Sequence, residues 1–373
     1  MKPIYLDYNA STPVIDEVAE VMLPYLQEFF GNPSSSHWYG IQSKRAIDTA
    51  RQQIAQLINC QPDEIIFTSG GTESNNHAIR SSAIANIMKG NQIITSAIEH
   101  PAVEKVCEFL SHQGFDIITI PVDKFGMVNP EDVERAITEK TILISIMHAN
   151  NETGTIQPIE KIGKIAQKHK VRFHTDAAQS LGKIEVDVEK LGVDLLSIAG
   201  HKLYAPKGVG ALYIRRGTEI PKFLLGAGHE SDRRAGTENV LEIVGLGKAA
   251  EVANRDLVAH QLHFQAMRDL LFDKISAKIP CHLNGHLTKR LPNTLNLSFP
   301  NIDNLQILSL FTLVAASSGA ACHSDSVTIS PVLKAMQVPD ELAVNTIRFS
   351  TGKLTTPDEI EKAAKLIISE LSS

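Results

Sequence analysis

Residues 317–325, SSGAACHSD, set one cysteine, Cys322, among glycine, alanine and serine. Few of these side chains can pack a core, so the stretch predicts an open, flexible loop carrying a thiol. Such a thiol becomes a nucleophile once ionised, which nearby cations or a base would favour. The bland alternative is an incidental surface cysteine. Cys60, Cys107 and Cys281 are widely scattered, without CxxC spacing or a disulfide-dense framework. Cys107 sits in the helical pattern VEKVCEFL and reads as packing. The 14 histidines show no HExxH and no paired Cys/His cluster, so no metal site is expected.

A second set of polar residues follows short apolar runs. IIFT (65–68) leads into SGGTESNN, and QIITSAI (92–98) into EHP with His100. TILISIM (141–147) leads into HANNETG with His148, Asn150 and Asn151. VRFHT (171–175) leads into DAAQS with Asp176 and Gln179, and LLSIA (195–199) into GHKLYAPKG with His201 and Lys202. Singly, each has an ordinary explanation as packing, a helix cap or a solvated charge. One cofactor would use the whole set. Pyridoxal 5'-phosphate takes a lysine for its Schiff base, a carboxylate for its pyridine nitrogen and an anion site for its phosphate. On that reading Lys202 holds the aldehyde and moves protons, and Asp176 keeps the pyridinium protonated. The Gly71–Thr72 turn cradles the phosphate with His201 beside it. His100 lies over the ring as an acid or base. The glycine turn lacks a Walker lysine and the spaced glycines of a dinucleotide fingerprint, which disfavours both nucleotides. Unrelated polar residues remain the alternative to the cofactor reading.

The elements that must position these groups are legible in outline. From residue 65 to 215 apolar runs, including DIITIPV (116–122) and VGALYI (209–214), alternate with amphipathic stretches such as Ile159, Ile162, Ile165 and Ala166. The alternation predicts an α/β fold with a mostly parallel sheet covered on both faces, and ligands bind such sheets beyond the strands' carboxyl ends. After about residue 240 a long helical stretch precedes TLNLSF and NTIRFST, which predict a smaller α+β domain. The expected division is 15–255 for the large domain, with 1–14 and 256–373 forming the small one. At 373 residues the chain has ample length for both. With 36 Lys and Arg against 42 Asp and Glu, net charge −6 and no basic block, no direct nucleic-acid partner is expected. No run approaches a membrane span, and MKPIYLDYNA reaches Asp7 before a signal-like stretch develops. A cytoplasmic location is the expectation.

At HTDAAQS, GHKLYAPKGVGALY and SSGAACHSD the chain resembles the cysteine desulfurases of the NifS/IscS family, among the fold-type I, aminotransferase-like enzymes. The likeness runs nearly end to end, through YLDYNASTP, GNPSSSH, FTSGGTESNN, RRAGTENV and IRFSTGKLTT. It implies a fold-type I PLP-dependent transferase that converts L-cysteine to L-alanine. Lys202 would be the Schiff-base lysine, Asp176 the partner of the pyridine nitrogen and Gln179 that of the ring oxygen. His100 would stack on the ring, and Asn151 would contact the cofactor or the substrate carboxylate. Gly71, Thr72 and His201 would hold the phosphate. Thr237 would reach the phosphate of a neighbouring subunit, which implies a homodimer. Arg348 would clamp the substrate carboxylate. Cys322 would take the sulfur as a persulfide and deliver it to an acceptor protein whose identity the motifs do not encode.

Three features depart from the family pattern. Ala199 stands where many members have a phosphate-binding serine, and Pro101 follows His100 where housekeeping desulfurases commonly have lysine. The chain stops at LIISELSS, without the longer tail by which scaffold-serving members dock, so a main iron–sulfur assembly role is not expected. A selenocysteine lyase acting on L-selenocysteine, or a desulfurase dedicated to tRNA or DNA thiolation, stays open as the alternative.

Overall fold

The computed structural model describes residues 2–302, 304–318, 320–323 and 326–372, with the backbone alone for 304, 305, 320–323 and 326–328. Its centre is a seven-stranded sheet. The strands are β1 (Ile65–Thr68), β2 (Gln92–Ser96), β3 (Asp116–Ile120), β4 (Thr141–Ser145), β5 (Arg172–Asp176), β6 (Leu195–Ala199) and β7 (Gly210–Ile214). Their spatial order is β1-β7-β6-β5-β4-β2-β3. Only β7 runs antiparallel to its neighbours, and the remaining pairings are parallel. The mostly parallel sheet expected from the alternation is present. β1, β2, β4, β6 and β7 are buried at every position, as continuous apolar runs covered on both faces require, while the edge strand β3 is partly exposed. All parallel strands therefore end on one side, where the chemistry-bearing turns begin.

Two helices leave that side. Helix α1 (Gly71–Asn86) follows β1, and α2 (Pro101–Ser111) follows β2 with His100 as its N-cap. Farther along, α3 (Val240–Ser276) is continuous for 37 residues, about 55 Å at 1.5 Å per residue. Its first half packs Ile243, Leu246 and Ala250 into the core around the large sheet. Its second half packs Leu271 and Ile275 into a separate core with Leu6, Phe299 and Phe349. One rigid rod thus joins the two cores, and residue 255 lies within it.

The second core carries a four-stranded sheet that includes β8 (Thr294–Ser298) and, antiparallel to it, β9 (Thr346–Ser350). These are the TLNLSF and NTIRFST segments. The N-terminal segment Ile4–Tyr5 pairs in parallel with Val314–Ala315, so the chain start is stitched to the smaller core before it crosses to the large sheet. Cys322 lies on Ala320–His323, which pairs antiparallel with Ser326–Ile329, Cys322 opposite Val327. The expected open loop is thus a two-stranded hairpin in its backbone. The β-branched residues of SVTI give the second strand its preference for extended structure. Residues 319, 324 and 325 of the cysteine motif, and the Cys322 side chain, lie outside what the structure describes.

Candidate active site

A cavity of about 440 Å³ opens at the carboxyl ends of the central strands. It brings together Gly71, Thr72, His100, Asn151, Asp176, Gln179, His201 and Lys202, drawn from five strand ends of the large sheet, and Arg348 from the strand β9 of the second core. His148 and Asn150 are buried instead. Asn150 accepts from the amides of Glu152 and Thr153 and shapes the turn that delivers Asn151.

The first turn of α1 forms one wall. Gly70 takes φ +146°, a conformation that favours glycine, and a Cβ at Gly71 would lie 3.1 Å from the Ala199 Cβ. Small residues on both sides keep the helix N-terminus open, with first-turn amides that have no carbonyl partner within the helix. Glu73, the acid in that turn, is turned away. Burial alone would raise its pKa, but bonds from Arg234 and the Ser69 amide hold it below the usual carboxylate range.

One turn farther along α1, Asn75 Nδ2 donates to Asp176 Oδ2 at 2.6 Å, and the Ala178 amide donates to Oδ1 at 2.9 Å. Asp176 is thus a buried carboxylate held by neutral donors, with no salt bridge among the described residues. Asn75 Oδ1 is buried without a partner.

The N-terminal segment supplies the opposite wall. Lys202 Nζ donates to the carbonyls of Asn9 at 2.6 Å and Ala10 at 2.7 Å. Thr12 donates from its amide and hydroxyl to the His201 carbonyl, at 2.9 and 3.0 Å, which ties residues 9–12 to the Gly200–Lys202 turn. Burial, reinforced by the positive charge of Arg348, brings the Lys202 pKa down to about 8. His201 falls to about 4, again mainly through burial, and is neutral at pH 7. His100 Nδ1 accepts from the Ala102 amide at 3.1 Å, which leaves the ring proton on Nε2. Burial lowers its pKa against the opposing pull of Asp176.

Arg348 enters from β9. Its guanidinium donates to Asp7 Oδ1 at 2.7 Å, Ser317 Oγ at 2.7 Å and the Asn151 carbonyl at 2.9 Å, while its buried Nε has no partner. Ser317 is five residues before Cys322, so the two Cα atoms lie within about 18 Å of each other. Thr237 lines a different cavity, with Ser69, Glu230 and Arg234, and does not reach this one within the chain. A further space of about 470 Å³ adjoins His100 and Asn151 and is walled by Glu99, Glu152 and Cys107. Burial raises the Glu99 pKa to about 8 and that of Cys107 to about 12, so Cys107 is an inert packing thiol.

Motif reading missed three contributors. Asn9 lies in YLDYNASTP and Asn75 in SGGTESNN, both singled out above, and Lys183 lies three residues beyond HTDAAQS. Asn9 is the hub, with its carbonyl on Lys202 and Gln179 and its side-chain oxygen on Lys183 and Asn293.

The family model of the class-V aminotransferases matches residues 4–363. The chain is 49% identical over 362 residues to a cysteine desulfurase IscS of Dictyoglomus turgidum, covering 96% of this chain and 92% of the other. Identity is 48% over 369 residues to the protein of the same name from Methanosarcina thermophila, covering 98% and 91%. A solved NifS-like protein superposes with TM-score 0.93 at 38% identity, over 99% of each chain.

Proposed function

The chain belongs to the class-V aminotransferases and is a cysteine desulfurase, and from that premise we propose that its cavity holds pyridoxal 5'-phosphate and that Cys322 receives the sulfur of L-cysteine. The observation that carries the reading is one cavity joining a lysine brought to about 8, a carboxylate held by neutral donors and an arginine with an unpartnered Nε. The residues fit the group. The two buried, unpartnered polar atoms on cavity residues, Asn75 Oδ1 and Arg348 Nε, are those expected where a polar ligand completes the hydrogen bonding.

When bound, the cofactor supplies an electron sink that acidifies the substrate Cα–H. Asp176 would hold the proton of the ring nitrogen. Gly71 and Thr72 would offer amides to the phosphate, and neutral His201 a hydrogen bond in place of a charge. Gln179 would donate to the ring oxygen, and Asn151 would contact cofactor or substrate. Lys202, as the neutral amine, would accept the Cα proton and return it, with His100 as a second acid–base group. Arg348 would clamp the substrate carboxylate. The Cys322 thiolate would then attack the substrate sulfur: an S–S bond forms, the C–S bond breaks, and its electron pair stays on the alanine skeleton.

The reading includes a homodimer in which Thr237 completes the neighbouring subunit's phosphate site, a cytoplasmic location, an acceptor protein for the persulfide, and a division of the chain into 15–255 and 1–14 with 256–373. Among the described residues no helix is long and apolar enough to cross a membrane.

The deciding experiment compares alanine release from L-cysteine and L-selenocysteine as a ratio of kcat/KM. Comparable values, or a preference for cysteine, support the reading. Strong preference for selenocysteine moves the chain to selenocysteine lyase and demotes Cys322. Arg348→Lys supplies a second check. A point charge cannot reproduce the planar fork that already spans Asp7, Ser317 and Asn151. KM for L-cysteine is expected to rise about 10–100-fold with a smaller change in kcat, as loss of ground-state binding does. An unchanged KM would remove Arg348 from the substrate site.

A further inference from the structure

Lys183 is buried without a carboxylate beside it. Its Nζ donates to Gln179 Oε1 at 2.9 Å and to Asn9 Oδ1 at 3.1 Å, and it forms no salt bridge among the described residues. Burial, then the positive charges of Lys202 and Arg348, push its pKa well below the ordinary lysine value. Burying an amine between neutral amides is costly, so electrostatic pairing does not account for it.

Gln179 does. Its Nε2 donates to the Asn9 carbonyl at 3.0 Å, and a carbonyl can only accept, so that end of the amide is nitrogen. The other end meets Lys183, which supplies the N–H that Oε1 needs. The amide is held from both sides. Its second Nε2–H is left over, on a residue that lines the cavity. Asn9 cannot turn to compensate, because its own Nδ2 is engaged by Thr294 Oγ1 at 2.8 Å and the Asn151 carbonyl at 3.2 Å.

We propose that Lys183 is a positioning residue that locks the Gln179 amide so that it presents an N–H donor, and not its oxygen, to the ring oxygen of the cofactor. The inference rests on the cofactor reading above. A donor there favours the deprotonated ring oxygen. Without Lys183, Oε1 is a buried acceptor with no donor, and the amide must rotate to find one.

The test uses the cofactor-loaded protein and reads the pH midpoint of its visible absorption band in wild type, Lys183→Met, Gln179→Leu and the double variant. Gln179→Leu is expected to raise the midpoint by about one unit, a tenfold change in the proton equilibrium. Lys183→Met is expected to move it the same way by at least about half as much, and the double variant to match Gln179→Leu alone. A wild-type midpoint in Lys183→Met, or shifts that add in the double variant, would overturn the proposal. Should Lys183→Met fail to fold, Gln179→Glu carries the test. It sets a carboxylate against Lys183 and removes the donor, so the midpoint must rise; an unchanged midpoint refutes the assignment. Failure of the cofactor reading looks different: wild type loaded with excess cofactor would show no visible band, and both ideas fall together.

Discussion

Lys202→Ala is expected to abolish the visible band of the loaded protein and to lower kcat/KM for alanine release by at least about 10⁴-fold. Removing a group proposed to be both covalent anchor and proton carrier would forfeit acid–base catalysis, typically about 10²–10⁴-fold, together with the nucleophilic contribution. The structure shows why no neighbour substitutes. Lys183, the next amine, is directed into Asn9 and Gln179, and His100 Nδ1 is engaged by a backbone amide. Overall folding should survive, because among the described residues the side-chain bonds lost are those to two carbonyls of the N-terminal segment. The same amine sets a pH dependence. A base whose folded pKa is about 8 in place of 10.5 is protonated below that value and a free amine above it. Recombination of cofactor-free wild type with pyridoxal phosphate should therefore accelerate as pH rises through about 8, with roughly a tenth of the amine neutral at pH 7 and nine-tenths at pH 9. Retention of the band in Lys202→Ala, or activity within tenfold of wild type, would remove Lys202 from the chemistry.

Much of this site was legible because a parallel sheet orders its own strand ends. Asp176 and Lys202 follow adjacent strands, and once β5 and β6 pair in parallel, the residues after them must emerge on the same side. The period and length of the apolar runs were enough to place them. Arg348 and Asn9 were not accessible by that route. Arg348 reaches the cavity because β9 of the smaller core faces the large sheet, and Asn9 because Ile4–Tyr5 pairs with residues more than 300 positions away. Contacts so distant in sequence leave no local periodicity. His148 and Asn150 show the opposite limit. They share the strand-end signature of Asn151, yet the turn they build directs them into the protein. Polar residues that shape a turn and those that use it look alike in sequence. The cysteine hairpin was misread for a related reason: small residues suggest a loop, but pairing with the β-branched SVTI segment gives the backbone a ladder.

Cys322→Ala is expected to keep the visible band and lower alanine release from L-cysteine by about 10³-fold, a loss in the range seen when a catalytic nucleophile is removed from an otherwise intact site. The two readouts separate because Cys322 belongs to a separate two-stranded hairpin, whereas the residues proposed to hold the cofactor come from the large sheet and its turns. The hairpin is tethered to the Arg348 side of the cavity. Ser317, whose hydroxyl accepts from Arg348 at 2.7 Å, lies five residues before Cys322, so a short run of chain links the thiol proposed to take the sulfur to a direct partner of the residue proposed to hold the substrate carboxylate. Selenium leaves carbon more readily than sulfur, so turnover of L-selenocysteine should fall much less in the same variant. The contrast between the two substrates is more informative than either rate. Mass spectrometry of wild type quenched during turnover of L-cysteine should find one added sulfur atom on the peptide carrying Cys322 and none on those carrying Cys60, Cys107 or Cys281, where burial raises all three thiol pKa values and suppresses the thiolate. Full activity toward L-cysteine without Cys322, or sulfur loaded on another cysteine, would leave the chain a pyridoxal enzyme whose thiol has another use.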